Sequence, residues 1–184
     1  RKDKIVQQLT GGIQQLFKAN GVEWLQGRGQ LLADKQVKVT GHDGAESTHA
    51  ADQVIIATGS TPIELPIAKW LDERIVDSEG ALDWESVPAR LGVIGAGVIG
   101  LEMGSGWRRL GADVTVLEAA DDFLAAADND VAKAAARDFK KQKLDIRLGA
   151  KVSGVTENGN ALTMSYTDKK GEQTLEVDRV IVAV

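Results

Sequence analysis

Cysteine is absent from this 184-residue chain, and proline is scarce, with only three residues. A chain without cysteine forms no disulfide, no thiolate metal site and no cysteine nucleophile of its own. Long apolar runs are also missing, because none reaches the roughly 18 residues of a membrane-spanning helix. The charged start RKDK is not followed by the apolar region of a signal peptide. These absences predict a cytoplasmic protein with no metal site and no membrane anchor.

The charge balance argues against nucleic acid as a partner. The net charge is −5, and Lys and Arg form no dense patch along the chain. Hydrophobic residues make up 43% of the chain, which is enough to bury a real core. Twenty glycines beside three prolines are typical of a turn-rich α/β protein and not of a disordered one.

The stretch 90–118, RLGVIGAGVIGLEMGSGWRRLGADVTVLE, carries the strongest signal. It contains an apolar run, a Gly-x-Gly-x-x-Gly turn, a helical pattern, a second apolar run and an acid, in the order of a dinucleotide-binding βαβ unit. Gly95 would allow the tight turn, Gly97 the approach of a pyrophosphate, and Gly100 the close packing of helix and sheet. The helix N-terminus then faces the phosphates. Glu118 stands close to the spacing of about 20 residues expected for an acid that binds a ribose 2′-hydroxyl.

The residues after the second apolar run predict which nucleotide is preferred. Glu118 would repel a 2′-phosphate, and residues 119–122, AADD, offer no arginine to receive one, so NAD(H) is predicted over NADP(H). The alternative is an ordinary βαβ turn whose glycines serve packing alone. The strand before the turn, the helix after it and the acid beyond it favour the nucleotide.

The first half of the chain predicts a helix followed by short strands. An amphipathic helix is predicted at residues 3–19. The strands of an antiparallel meander are predicted at 22–26, 30–32, 36–40 and 47–50, and a buried apolar strand is predicted at 52–57. Residues 61–89 show little regular pattern beyond a short helical turn at 78–82, and they predict a linker. Trp70 and Trp84 in this linker are predicted to pack it onto a domain.

The second half repeats the order of a meander followed by an apolar strand. A helix is predicted at residues 129–143 and a third parallel strand at 144–148. Three meander strands are predicted at 152–157, 161–167 and 173–177, and a strand that returns to the sheet is predicted at 180–184. Asn158-Gly159 and Lys170-Gly171 are the predicted turns of this meander. The chain begins within a helical pattern and stops within an apolar run, which favours an internal fragment of a longer protein.

Three segments resemble the flavoprotein disulfide reductases, a family with two dinucleotide-binding domains. They are the helical start KIVQQLTGGIQQLFKANGV, the run IIATGS at 55–60, and the stretch from Gly95 to Glu118. The resemblance implies an α/β fold, in which a Rossmann-like βαβ NAD-binding domain with an antiparallel β-meander accompanies part of a similar FAD-binding domain. The implied boundaries are 1–62 for the C-terminal part of the FAD-binding domain and 63–184 for the NAD-binding domain, with a linker at about 61–89.

The same resemblance implies the cofactor contacts. The residues that would contact NAD through its pyrophosphate, ribose and adenine are Gly95, Ala96, Gly97, Val98, Ile99, Gly100, Glu118 and Val152. Glu102 falls where the family places an acid close to the nicotinamide. The alternative for Glu102 is an acid that the helix dipole favours in a first helical turn, by about 0.3–1 kcal/mol. The residues that would contact FAD are Gly29, Thr58, Gly59 and Ser60.

The resemblance also implies an activity for the longer parent enzyme. Such an enzyme oxidises a dihydrolipoyl group on a 2-oxoacid dehydrogenase complex through a cysteine disulfide, passes electrons to FAD and then hydride to NAD⁺, and is a homodimer. The fragment lacks the redox cysteines, so alone it is expected to be inactive, with FAD bound only in the full-length parent. Alternatives are a reductase of the same architecture that acts on glutathione, mercuric ion or oxygen, and a non-enzymatic NAD(H)-binding module. A plain NAD(H) sensor would not need the segment Thr58-Gly59-Ser60.

Overall fold

The computed structural model describes residues 2–184, which form two compact units that divide between Gly59 and Ser60. Within the described residues, no helix is long and apolar enough to cross a membrane. Parallel and antiparallel sheets occur together with helices, so the predicted α/β fold class is confirmed.

The first unit contains one long helix and a three-stranded antiparallel meander. Its elements are α1 (Lys2–Ala19), β1 (Gly27–Leu31), β2 (Gln36–Gly41) and β3 (Glu46–Ala50). Strand β2 lies between the other two, with Gly29 opposite Val39 and Lys38 opposite Thr48. The strand predicted at 22–26 is wrong, because this segment is irregular and pairing begins only at Gly27.

The apolar segments of this unit remain exposed. Along Lys2–Ala19 no side chain is buried, and Leu9 and Leu16 on the apolar face are 65% and 62% exposed. The buried strand predicted at 52–57 is also wrong, since this run is irregular and Ile55 is 89% exposed. A buried parallel strand forms only between neighbours that satisfy its backbone groups. In the described part of the chain this run has no such neighbours.

The second unit is built around a five-stranded parallel sheet. Its elements are β4 (Ile75–Val76), α2 (Ser78–Leu82), β5 (Arg90–Ile94), α3 (Val98–Leu110), β6 (Asp113–Leu117), α4 (Asn129–Lys141), β7 (Asp145–Arg147), β8 (Lys151–Asn158), β9 (Ala161–Asp168), β10 (Gly171–Val177) and β11 (Arg179–Val182). The order across the sheet is β4-β11-β5-β6-β7, with parallel pairing throughout. Strand β11 therefore returns from the meander to the middle of the sheet, as its apolar pattern predicts.

Both faces of this sheet are covered, which explains the apolar runs of its central strands. The residues that face the helices are buried together with Trp107 of α3, and include Leu91, Val93, Val114, Val116 and Ile181. On the opposite face, Ile94, Leu117 and Val180 pack against the meander β8-β9-β10, whose buried residues include Leu162 and Met164 of β9. The three meander strands and their turns confirm the prediction, with positive φ at Gly159 (60°) and Gly171 (98°).

The segment 61–89 contributes to the second unit and is more than a connection. Strand β4 lies at an edge of the sheet beside β11, and the predicted helical turn is α2. Trp84 is buried, its ring centroid is 5.2 Å from that of Trp107, and its indole N–H donates to the Glu73 carbonyl at 2.8 Å. Trp84 thus packs this segment onto the sheet unit as predicted, whereas Trp70 is 37% exposed.

Candidate functional site

The turn from β5 into α3 has a backbone shape that two of its glycines make possible. Gly95 has a φ of +102°, in the left-handed region that other residues adopt at a cost, and its N–H donates to the Leu117 carbonyl at 2.9 Å. A Cβ on Gly95 would lie 2.5 Å from the Ala183 carbonyl oxygen, and a Cβ on Gly100 would lie 2.0 Å from that of Gly95. These contacts bring the first turn of α3 directly against the end of β5.

The second glycine of the turn leaves the N-terminus of α3 open. Gly97 is the N-cap residue, and no side chain of the described residues caps this helix. The other two helices of the unit differ, because Asp77 caps α2 and Asp128 caps α4. A Cβ on Gly97 would meet no described atom within 4 Å. The first N–H groups of a helix have no partner within it and lie at its positive end, so an anion fits this opening.

Glu118 follows β6 and reaches across to the glycine turn. Its Oε2 accepts the Ala96 N–H at 2.7 Å and its Oε1 accepts the Ala120 N–H at 2.8 Å. The side chain is partly exposed, so the carboxylate is held in place and still faces solvent. The structure therefore brings together the acid and the glycine turn, which the sequence relates only through their spacing.

The other residues predicted for NAD lie around this turn in different environments. Val98 and Ile99 at the start of α3 are 68% and 52% exposed. Glu102 is exposed one turn further along α3. Val152 in β8 is only 8% exposed and packs in the core with Tyr166. Val152 lies two residues after Ala150, and the Ala150 N–H donates to the Glu118 carbonyl at 2.8 Å.

The residues predicted for FAD are less concentrated. Gly29 lies in β1, where a Cβ would be in ordinary contact with Val37 at 3.8 Å. Thr58, Gly59 and Ser60 are exposed and lie outside any helix or strand, and Gly59 has a φ of +72°. The two compact units divide between Gly59 and Ser60.

A polar cluster at the edge strand β7 was not predicted from the sequence. The Arg147 guanidinium donates to Asp145 at 2.7 Å and to the Tyr166 hydroxyl at 2.6 Å, which ties the sheet edge to the meander. Burial lowers the pKa of Arg147, but the hydrogen bonds to Asp145 and Tyr166 outweigh it and raise that pKa above its ordinary value. Opposite charges two residues apart on a predicted strand were the available signal, because alternate residues share a face. Arg147 also accepts the Glu118 N–H through its carbonyl at 2.9 Å.

The family model described as pyridine nucleotide-disulphide oxidoreductase matches residues 1–184. The chain belongs to this family. Among its curated relatives is dihydrolipoyl dehydrogenase of Cupriavidus necator, which is 52% identical over all of this chain and 39% of its own length. Leghemoglobin reductase of Vigna unguiculata is 42% identical over all of this chain and 35% of its own length. The chain thus spans about two fifths of the length of the curated relatives that it matches.

Solved structures of the pyridine nucleotide-disulphide oxidoreductases have the same fold. LpdA from Mycobacterium tuberculosis superimposes with a TM-score of 0.87 at 28% identity, over 98% of this chain and 40% of that one. The flavoprotein disulfide reductase RclA from Escherichia coli superimposes with a TM-score of 0.84 at 26% identity, over 100% of this chain and 41% of that one. The chain is a dihydrolipoyl dehydrogenase-like member of the family, and it contains no cysteine itself.

Proposed function

We propose that the second unit binds NAD(H) and that residues 63–184 are the NAD-binding domain of a dihydrolipoyl dehydrogenase. The observation that carries this proposal is the uncapped N-terminus of α3 behind Gly97, with the Glu118 carboxylate beside it. This arrangement has a donor surface for a pyrophosphate and an acceptor for ribose hydroxyls at the carboxyl ends of adjacent parallel strands. Nucleotides bind at this edge in open α/β sheets.

Each part of the site has its own task in this proposal. The turn from Gly95 to Gly100 binds the pyrophosphate through backbone N–H groups, and Glu118 accepts hydrogen bonds from the adenosine ribose. Val152 lines the adenine pocket, and Glu102 approaches the nicotinamide. The bound cofactor supplies the hydride chemistry, while these residues bind and orient it. Their contribution is positioning, which converts an encounter into a productive geometry.

We further propose that the first unit supplies part of an FAD site in the complete enzyme. Residues 1–62 would be the C-terminal part of the FAD-binding domain, with contacts from Gly29, Thr58, Gly59 and Ser60. The complete enzyme would oxidise a dihydrolipoyl group on a 2-oxoacid dehydrogenase complex through a cysteine disulfide and FAD, as a cytoplasmic homodimer. The 52% identity to the dihydrolipoyl dehydrogenase of C. necator supports this substrate class.

A second candidate function is reduction of a different acceptor by the same architecture. It is supported by the leghemoglobin reductases among the relatives that match this chain. Steady-state assays of the complete enzyme with NAD⁺ and dihydrolipoamide, and with NADH and alternative acceptors, separate the two candidates. The higher kcat/KM is expected for dihydrolipoamide, and a higher value for another acceptor would replace the first proposal.

Nucleotide binding is tested by calorimetry on the 184-residue chain. NAD⁺ should bind more tightly than NADP⁺, since a 2′-phosphate beside Glu118 meets like charge. Glu118→Gln should narrow this difference, whereas Glu172→Gln, which removes a charge from an exposed site on β10, should leave it unchanged. Equal or tighter binding of NADP⁺ by the unaltered chain contradicts the proposed preference, and failure to bind either nucleotide contradicts the proposed site.

A further inference from the structure

Both oxygens of the Glu118 carboxylate accept backbone N–H groups. One oxygen accepts the N–H of Ala96 at 2.7 Å and the other accepts the N–H of Ala120 at 2.8 Å. The first bond joins the ends of two neighbouring strands, because Ala96 lies in the turn after β5 and Glu118 directly follows β6. Ala96 is 3% exposed, so its N–H is buried and has little access to water as a substitute partner.

The backbone that carries this carboxylate is itself held on one side by the last residue of β7 and by the connection from β7 to β8. The Glu118 N–H donates to Arg147 at 2.9 Å, the Ala150 N–H donates to the Glu118 carbonyl at 2.8 Å, and the Gly149 N–H donates to the Ala120 carbonyl at 2.9 Å. The far end of the Glu118 side chain is held in turn by the N–H groups of Ala96 and Ala120. Glu118 therefore links this connection, through its backbone bonds, to the glycine turn, through the bond from its carboxylate to the Ala96 N–H.

The ribose hydroxyls and the backbone N–H groups do not compete for the same lone pairs. An ionised carboxylate has about four acceptor sites on its two oxygens, and the two N–H groups of the structure use one on each. Two sites remain for hydroxyl donors on the partly exposed side of Glu118. The carboxylate can thus bind a ribose without releasing the turn.

We propose that Glu118 is a positioning residue for the pyrophosphate turn in addition to its ribose contact. This inference rests on the proposed nucleotide site and extends it. By accepting the Ala96 N–H, the carboxylate keeps the turn in the open shape with the α3 N-terminus exposed. Without this bond the turn samples other shapes, and the apparent affinity falls in proportion to the fraction that remains competent.

A ligand without ribose hydroxyls separates the two roles. ADP and 2′,3′-dideoxy-ADP carry the same adenine and diphosphate, and only ADP offers hydroxyls to the carboxylate. Both are titrated by calorimetry into the unaltered 184-residue chain, Glu118→Ala, Glu118→Gln and the control Glu172→Ala. If Glu118 contacts only the ribose, Glu118→Ala leaves the affinity for the dideoxy ligand unchanged. If it also holds the turn, this affinity falls about tenfold, as for a turn that is competent one-tenth of the time.

Amide hydrogen exchange in the ligand-free protein gives a second measurement. In Glu118→Ala the amides of Ala96 and Ala120 should exchange faster, while those of Val93 and Val116 inside the sheet should keep their rates. Unchanged sheet amides show that the variant folds and that the effect is local. Glu118→Gln keeps one acceptor oxygen and should show a smaller effect in both measurements.

The outcomes distinguish this inference from the nucleotide proposal itself. An unchanged affinity of Glu118→Ala for the dideoxy ligand, with unchanged exchange at Ala96, overturns the positioning role and leaves the ribose role intact. If the unaltered chain binds neither ligand, the nucleotide proposal fails, and exchange at Ala96 alone then decides whether the carboxylate holds the turn. A fall in affinity for both ligands that is larger for ADP, with faster exchange at Ala96, supports the two roles together.

Discussion

Two glycine-to-alanine substitutions in the same helix should have opposite effects on stability. A Cβ on Gly100 would lie 2.0 Å from the Gly95 carbonyl oxygen and 3.4 Å from a methyl carbon of Val93. A Cβ on Gly106, also in α3, would meet no described atom within 4 Å. The two variants differ only in position along one helix, so the intrinsic helix preference of alanine is the same in both.

The expected magnitudes follow from these contacts. Alanine in a helix interior is favoured over glycine by about 0.5–1 kcal/mol, so Gly106→Ala should stabilise the second unit by about that amount. In Gly100→Ala the new Cβ would clash with a backbone atom, the Gly95 carbonyl oxygen, so the helix must move away from the end of β5. Forcing a group into a packed site costs about 1–3 kcal/mol, which exceeds the helix preference. The two variants should therefore differ by at least about 1 kcal/mol, with Gly100→Ala the less stable.

Urea unfolding of the 184-residue chain measures this difference. The fluorescence of the buried pair Trp84 and Trp107 reports on the second unit, in which both substitutions lie. Gly104→Ala is the intermediate control, because its Cβ would be in ordinary contact at 3.5–3.6 Å with the side chains of Val114 and Val116 in β6 and of Leu144, which precedes β7. Equal stability of Gly100→Ala and Gly106→Ala would refute the conclusion that the first turn of α3 packs too closely against the glycine turn to admit a Cβ at position 100.

Two further predictions concern the sheet unit. Hydrogen bonds from Arg90 lower the pKa of Asp178 below its ordinary value, so the unfolded chain takes up protons at higher pH than the folded chain does. The free energy of unfolding should fall as the pH drops from about 4 through the lowered pKa of Asp178. Asp178→Asn should weaken this pH dependence in urea unfolding measured from pH 7 to 3. An unchanged pH dependence in this variant would contradict the stabilising interaction between Arg90 and Asp178. Trp84→Ala should lower the unfolding free energy of the second unit by about 3–5 kcal/mol, because Trp84 is buried against Trp107. Trp24 is half-exposed in the first unit, so Trp24→Ala should leave the stability of the second unit unchanged. Equal losses in the two variants would contradict the packing of Trp84.

The failed strand predictions in the first unit have one physical origin. The run at 55–57 is apolar and β-branched, as in a buried strand, yet Ile55 and Ile56 are 89% and 71% exposed. Local sequence determines a preference for extended backbone, but a strand also needs partners for its N–H and C=O groups. The same limit explains the unpredicted β4, which is only two residues long and exists because β11 lies beside it.

Local patterns by themselves determined the βαβ unit, its glycine turn and the meander. These elements depend on nearby residues: Gly95 permits the left-handed backbone, and Gly159 and Gly171 do the same in the two hairpins. The alternation of apolar residues then selects the buried faces of the strands. Such features are accessible from sequence because their causes lie within a few residues of one another.

Only the tertiary structure decided how the candidate site is held. The spacing of Glu118 from the glycines predicted a ribose-binding acid, but not that its carboxylate bonds to the Ala96 N–H or that Arg147 fixes its backbone. These contacts arise because parallel pairing places the carboxyl ends of β5, β6 and β7 side by side. A hydrogen bond depends on distances within a few tenths of an ångström. Sequence spacing does not supply such distances, whereas the packed sheet does.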